Sequence, residues 1–131
     1  MDIDLTITEG PMMPPRLVLC GGPGMGKTTF GTECINPVFI LTEDGCAARV
    51  SKIPPVGKLE KWENVLDAVK YLIQEDHEKE TCIIDVVNAA ESLCKEYILN
   101  TKFNGQMLAA RGKESYMQWG QGDKLMHQEF L

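Results

Sequence analysis

The chain has 131 residues, room for one domain with a buried core, and its 44% hydrophobic and 24% charged content is that of an ordinary globular protein. A net charge of −6 excludes nonspecific nucleic-acid binding by bulk charge, though not a local basic groove. Five cysteines with no CxxC pair and only two histidines leave no zinc spacing and predict reduced thiols in a cytosolic protein.

In chain order, Met1 to Thr8 alternates apolar Ile3, Leu5 and Ile7 with polar residues, and Pro11, Pro14 and Pro15 break it off. Residues 1–15 therefore read as an N-terminal arm, too acidic for a signal peptide. No apolar run approaches the roughly 20 residues of a membrane span, so no membrane contact is expected. Arg16-Leu17-Val18-Leu19-Cys20 reads as a short buried strand, with Cys20, like Cys82 and Cys94, expected in the core.

Next comes Gly21-Gly22-Pro23-Gly24-Met25-Gly26-Lys27-Thr28-Thr29, which contains the G-x-x-x-x-G-K-[ST] pattern of a phosphate-binding P-loop. Glycines let successive backbone N–H groups turn toward one anion, and a helix opening near Lys27 adds its unpaired N–H groups. Lys27 can reach the β- and γ-phosphates of ATP, and the Thr28 hydroxyl can ligate Mg²⁺. A chance match at average residue usage arises in fewer than about one in a hundred chains of this length.

Thr28 to Cys34 predicts a helix that Asn36-Pro37 ends. Val38 to Leu41 is a second strand, with Thr42-Glu43-Asp44-Gly45 at its C-terminal tip, where open α/β sheets meet ligands. Glu43 or Asp44 could position a water or a magnesium ion there; a solvated acidic turn is the plain alternative. Ala47 to Lys52 reads as a short helix and Pro54 to Gly57 as a linker. From Leu59 to Asp76, apolar Trp62, Val65, Leu66, Val69, Leu72 and Ile73 recur at helical spacing. His77, in a charged turn, has no metal-ligand partner in sight.

Thr81-Cys82-Ile83-Ile84-Asp85 is a third strand ending in an acid, the Walker B pattern, in which Asp85 would hold Mg²⁺ through its water shell. A helix follows through Ala90, Leu93, Cys94, Tyr97 and Ile98. Residues 101 to 115 are turn-rich and carry Lys102, Arg111 and Lys113. Tyr116 to Gly122 reads as a mobile loop whose aromatics could pack, form a lid or stack on bases. Asp123 could cap a last helix from Lys124 to Leu131.

Taken together, GGPGMGKTTF, VFILTEDG, KWENVLDAVKYL, TCIIDVVNAAESL and the late WGQGDKLMHQEF resemble phage RecA-like nucleotide-binding proteins, AAA-family ATPases of the single-strand annealing type. The resemblance implies a three-layer α/β P-loop NTPase in which Gly21 to Thr29 bind ATP, Thr28 and Asp85 hold Mg²⁺, and Glu43 activates the attacking water with Lys27 on the phosphates. It also implies single-stranded DNA and further copies of the chain as partners, in a bacterial host cytoplasm. It covers only the N-terminal part of the family domain. Those proteins carry a further strand after Walker B, and no apolar run after Asp85 suits it. The expected sheet is therefore short and incomplete, and residues 1–131 read as one domain truncated at its C-terminus. A small P-loop kinase and a non-hydrolysing nucleotide-binding fragment acting in an oligomer are the alternatives; the kinase lacks an arginine-rich lid, Arg111 being the only arginine after Arg49.

Overall fold

The computed structural model describes residues 10, 13–108, 115–117 and 120–130. Most of the expected N-terminal arm, the basic turn at Arg111 and Lys113, Trp119 and Leu131 lie outside them. The elements are α1 (Lys27–Thr32), β1 (Pro37–Leu41), β2 (Ser51–Ile53), α2 (Trp62–Gln74), β3 (Thr81–Asp85), α3 (Val87–Phe103) and α4 (Gln121–Phe130).

The three strands form one parallel sheet in the order β2-β1-β3. Val38 pairs with Ser51 on one side and Cys82 on the other. Successive side chains leave a strand on opposite faces, and the two faces of this sheet meet different helices. On one face α1 lies so close to the sheet that a Cβ on Gly31 would stand 2.9 Å from Phe39 and 3.2 Å from Ile83. On the other face Ile40 and Ile84 join a core supplied by α2, α3 and α4. The fold is thus α/β, with a three-stranded parallel sheet between one helix and three.

The helical spacing predicted for α2 is realised: Trp62, Val65 and Ala68 are buried, and Leu66, Val69 and Leu72 pack beside them. α3 buries Ala90, Cys94, Ile98 and Phe103, again at spacings of four and five. It ends where Asn104 takes a left-handed conformation and Gly105 donates back to Leu99 O. α4 returns along α3 and reaches α2, where Trp62 stacks on Phe130 with centroids 5.4 Å apart and donates to Glu129 Oε1 at 3.1 Å.

Four local expectations are corrected. Residues 16–20 form no strand: they are exposed and irregular, with Leu17 74% and Val18 77% accessible. A strand is stable only on a ladder, and among the described residues β3 pairs with β1 alone. Ala47 to Lys52 is no helix; a stretch too short to nucleate one instead lends Ser51–Ile53 to the sheet. Of the three cysteines expected in the core only Cys94 is buried, since Cys20 sits on the unpaired segment and Cys82 on the outer strand. Of the alternatives for Tyr116, packing is the one realised: it is 0% accessible, edge-on to Phe103 with Lys95 Nζ 5.3 Å from its ring centre. The last helix also begins earlier than expected, so Asp123 lies inside its first turn rather than capping it.

Candidate functional site

Two groups of site residues sit on different supports. The first is at the C-terminal tips of β1 and β3. Leu41 and Asp85 are register partners, so the chain leaving β1 as Thr42-Glu43-Asp44 stands beside Asp85. Thr42 joins the two tips: its N–H donates to Asp85 O at 2.9 Å and its hydroxyl to Val86 O at 2.7 Å. Thr42 is only 4% accessible, and both of these polar groups are satisfied. Glu43 is exposed and Asp85 half-buried, and neither carboxylate has an ion-pair partner among the described residues.

Asp44 is otherwise occupied, in an ion pair with Lys58 at 3.2 Å. The neighbouring Leu59 N–H donates to Leu41 O at 2.7 Å, so residues 58–59 fold back over the end of β1. Lys52 Nζ donates to Cys46 O at 2.6 Å. An open cleft of about 280 Å³ here is lined by Asp44, Cys46, Lys52 and Gly57. The sequence reading missed Thr42, Lys52 and Lys58. A hydroxyl directly after a buried strand and before two acids was the available signal for Thr42.

The second group is the loop. Gly24 and Gly26 have φ of 73° and 87°, conformations that side chains with a Cβ rarely adopt, so glycine at these two positions is a backbone requirement. Gly26 also precedes α1, which has no side-chain cap. The first described helical bond is Phe30 N to Gly26 O at 2.9 Å, leaving the amides of Lys27, Thr28 and Thr29 without backbone partners among the described residues. The Lys27 ammonium folds back over the loop and donates to Gly21 O at 2.7 Å and Gly22 O at 2.8 Å. Pro23 and Met25 are exposed.

Glu43 and Asp85 thus leave the tips of neighbouring strands, and no hydrogen bond or ion pair among the described residues links the loop to either. α1 rests on β1 and β3 through Gly31, but the segment that should seat the loop's other end in the sheet is unpaired. Among the described residues no three His, Cys, Asp or Glu side chains converge to hold a metal unaided. A mostly hydrated ion such as Mg²⁺ would take one carboxylate and a hydroxyl besides phosphate oxygens, and Asp85 and Thr28 are residues of those types.

His77 is structural, its ring held between Leu72 O at 2.7 Å and the Lys79 N–H at 3.1 Å. No helix among the described residues is long and apolar enough to cross a membrane.

No curated protein and no solved structure matches the chain. A family model for the AAA domain (AAA_24) matches residues 13–128, a span holding the loop, both acid-tipped strands and the four described helices except for the end of α4, Glu129 and Phe130. The chain belongs to this AAA domain family, the P-loop class whose members characteristically bind nucleotide.

Proposed function

We propose that the chain binds Mg²⁺·ATP, with Gly21 to Thr29 cradling the phosphates, Lys27 on the β- and γ-phosphates, and Thr28 and Asp85 holding the ion. The observation that carries this reading is the loop itself. Two positive-φ glycines, three unpartnered amides and a lysine folded over the loop's own carbonyls make a concave, donor-rich turn that suits an anion. An incoming phosphate would replace the Gly21 and Gly22 carbonyls as partner of the Lys27 ammonium.

Glu43 is the candidate to polarise the water that attacks the γ-phosphate, since it follows the strand tip adjacent to that of Asp85 and has no ion-pair partner among the described residues. Hydrolysis asks more of the site than binding does, because the loop and the acids must close on one nucleotide. The likeness to phage RecA-like proteins supports a role in DNA recombination or single-strand annealing.

Calorimetric titration with Mg²⁺·ATP tests the reading. Saturable one-site binding that weakens when magnesium is chelated is expected, and no heat at millimolar nucleotide overturns it. Phosphate release with and without single-stranded DNA tests the finer role. Glu43→Gln should retain binding and lose any release; release that persists in this variant removes Glu43 from the mechanism.

A further inference from the structure

We infer that Thr42 is a positioning residue: its side-chain hydroxyl, bonded to Val86 O, fixes the chain that leads into Glu43 against the chain that carries Asp85. The effect on ligand binding rests on the nucleotide reading above; the clamp itself stands on the hydrogen bonds.

Thr42 directly follows the apolar run Val38 to Leu41 and is itself buried, at 4% accessible. A hydroxyl buried there needs a partner, and it finds one 44 residues away in sequence. The two bonds of Thr42 differ in what they ask of the residue. The N–H donates to Asp85 O and extends the β1–β3 ladder one step past the Leu41–Asp85 pair, which any residue but proline allows. The hydroxyl donates to Val86 O at 2.7 Å, which valine, of the same shape, does not allow. One bond alone leaves a hinge at the strand end. The second, on the next carbonyl along, removes it.

The acceptor is itself held. Val86 O also takes the Ala90 N–H at 3.2 Å, at the opening of α3, and Ala90 and Cys94 of that helix are wholly buried. A carbonyl oxygen has two lone pairs, so it serves both donors. Thr42 therefore ties the exit of β1 to the exit of β3 and to a helix seated in the core.

On its other side Glu43 is flanked by Asp44, paired with Lys58 at 3.2 Å. That pair is exposed, Lys58 at 39% and Asp44 at 69%, and such pairs hold little. Thr42 is thus the principal tie, and Glu43, exposed and without an ion-pair partner among the described residues, leaves a chain fixed just before it.

The test compares wild type, Thr42→Val, Thr42→Ser and Lys58→Met as full chains. Calorimetric titration with ATP, with and without Mg²⁺, gives the factor by which magnesium tightens binding. Thr42→Val should reduce that factor by about fivefold, the scale of one hydrogen bond, and Thr42→Ser should restore it. Lys58→Met should change it by less than about twofold. An unreduced factor in Thr42→Val, with urea unfolding showing only a stability loss, overturns the positioning role. A larger loss in Lys58→Met than in Thr42→Val overturns Thr42 as the principal tie. Amide hydrogen exchange of the nucleotide-free chains tests the clamp without a ligand. Relative to the loss in global stability, the amide at position 42 should exchange faster in Thr42→Val and at the wild-type rate in Thr42→Ser; equal rates in all three overturn the clamp. Faster exchange in Thr42→Val alongside a wild type that binds no nucleotide supports the clamp and refutes the nucleotide reading instead.

Discussion

The tips of β1 and β3 and the loop before α1 hold the two halves of one candidate site, and they are built in opposite ways. At the strand tips, position comes from long-range structure. A parallel ladder sets Asp85 against Leu41, and the buried Thr42 ties the two chains beyond it with two hydrogen bonds. At the loop, position comes from neighbours in sequence: positive-φ glycines and a lysine bonded five and six residues back. A locally determined turn can keep its shape without a sheet beside it, whereas a strand cannot. That is why the P-loop is formed while the strand leading into it is not.

The largest contrast should appear on truncating side chains in the two regions. Phe39, wholly buried between β1 and α1, should lose about 3–5 kcal/mol of stability as Phe39→Ala. Met25→Ala, on the exposed side of the loop, should stay within about 0.5 kcal/mol. Urea unfolding of the two variants measures this, and equal losses would mean that the loop is packed as tightly as the sheet. Next in size, Gly122→Ala would set a Cβ into the Tyr116 ring and should cost about 1–3 kcal/mol by pushing the ring and α4 apart.

Thr42→Val keeps the shape but leaves Val86 O without its hydroxyl partner, a loss of about 1–2 kcal/mol, and Thr42→Ser should recover most of it. If the clamp matters to the site, magnesium dependence of nucleotide binding should weaken in Thr42→Val and return in Thr42→Ser. A variant that changes only stability would confine Thr42 to the fold.

The smallest effect is one of pH. Burial, and then the nearby Asp123 carboxylate, push the Tyr116 phenol up to about 12. Its folded-state value lies above the unfolded one near 10, so its contribution is full below about pH 10 and is lost as pH rises toward 12. Tyr116→Phe should flatten that part of the stability profile, and an unchanged profile would assign the alkaline loss to other groups such as the buried Cys94, raised to about 11.

Sequence reasoning reached those parts of the molecule in which local pattern and final packing agree. The spacing of Trp62, Val65, Leu66, Val69 and Leu72 placed α2, and the apolar runs 38–41 and 81–85 placed β1 and β3. The P-loop was legible because its chemistry is written in adjacent residues. Residues 16–20 carry the same kind of apolar run as β3, but strand formation depends on a partner edge that no local pattern reports. Ser51–Ile53 is three residues long, too short for any period to show. Tyr116 is buried because Gly122 leaves room for its ring and Phe103 meets its edge, contacts that only the α3–α4 packing creates.

The account stands or falls on whether the loop takes up a nucleotide phosphate through Lys27. Titration calorimetry of the wild type and Lys27→Ala with Mg²⁺·ATP measures this directly, with circular dichroism confirming that both chains fold alike. The account predicts saturable binding by the wild type and at least about a hundredfold weaker binding by the variant, a loss of some 2.7 kcal/mol or more. Equal affinities would contradict it, because the ammonium that closes the loop would then have no part in holding the ligand.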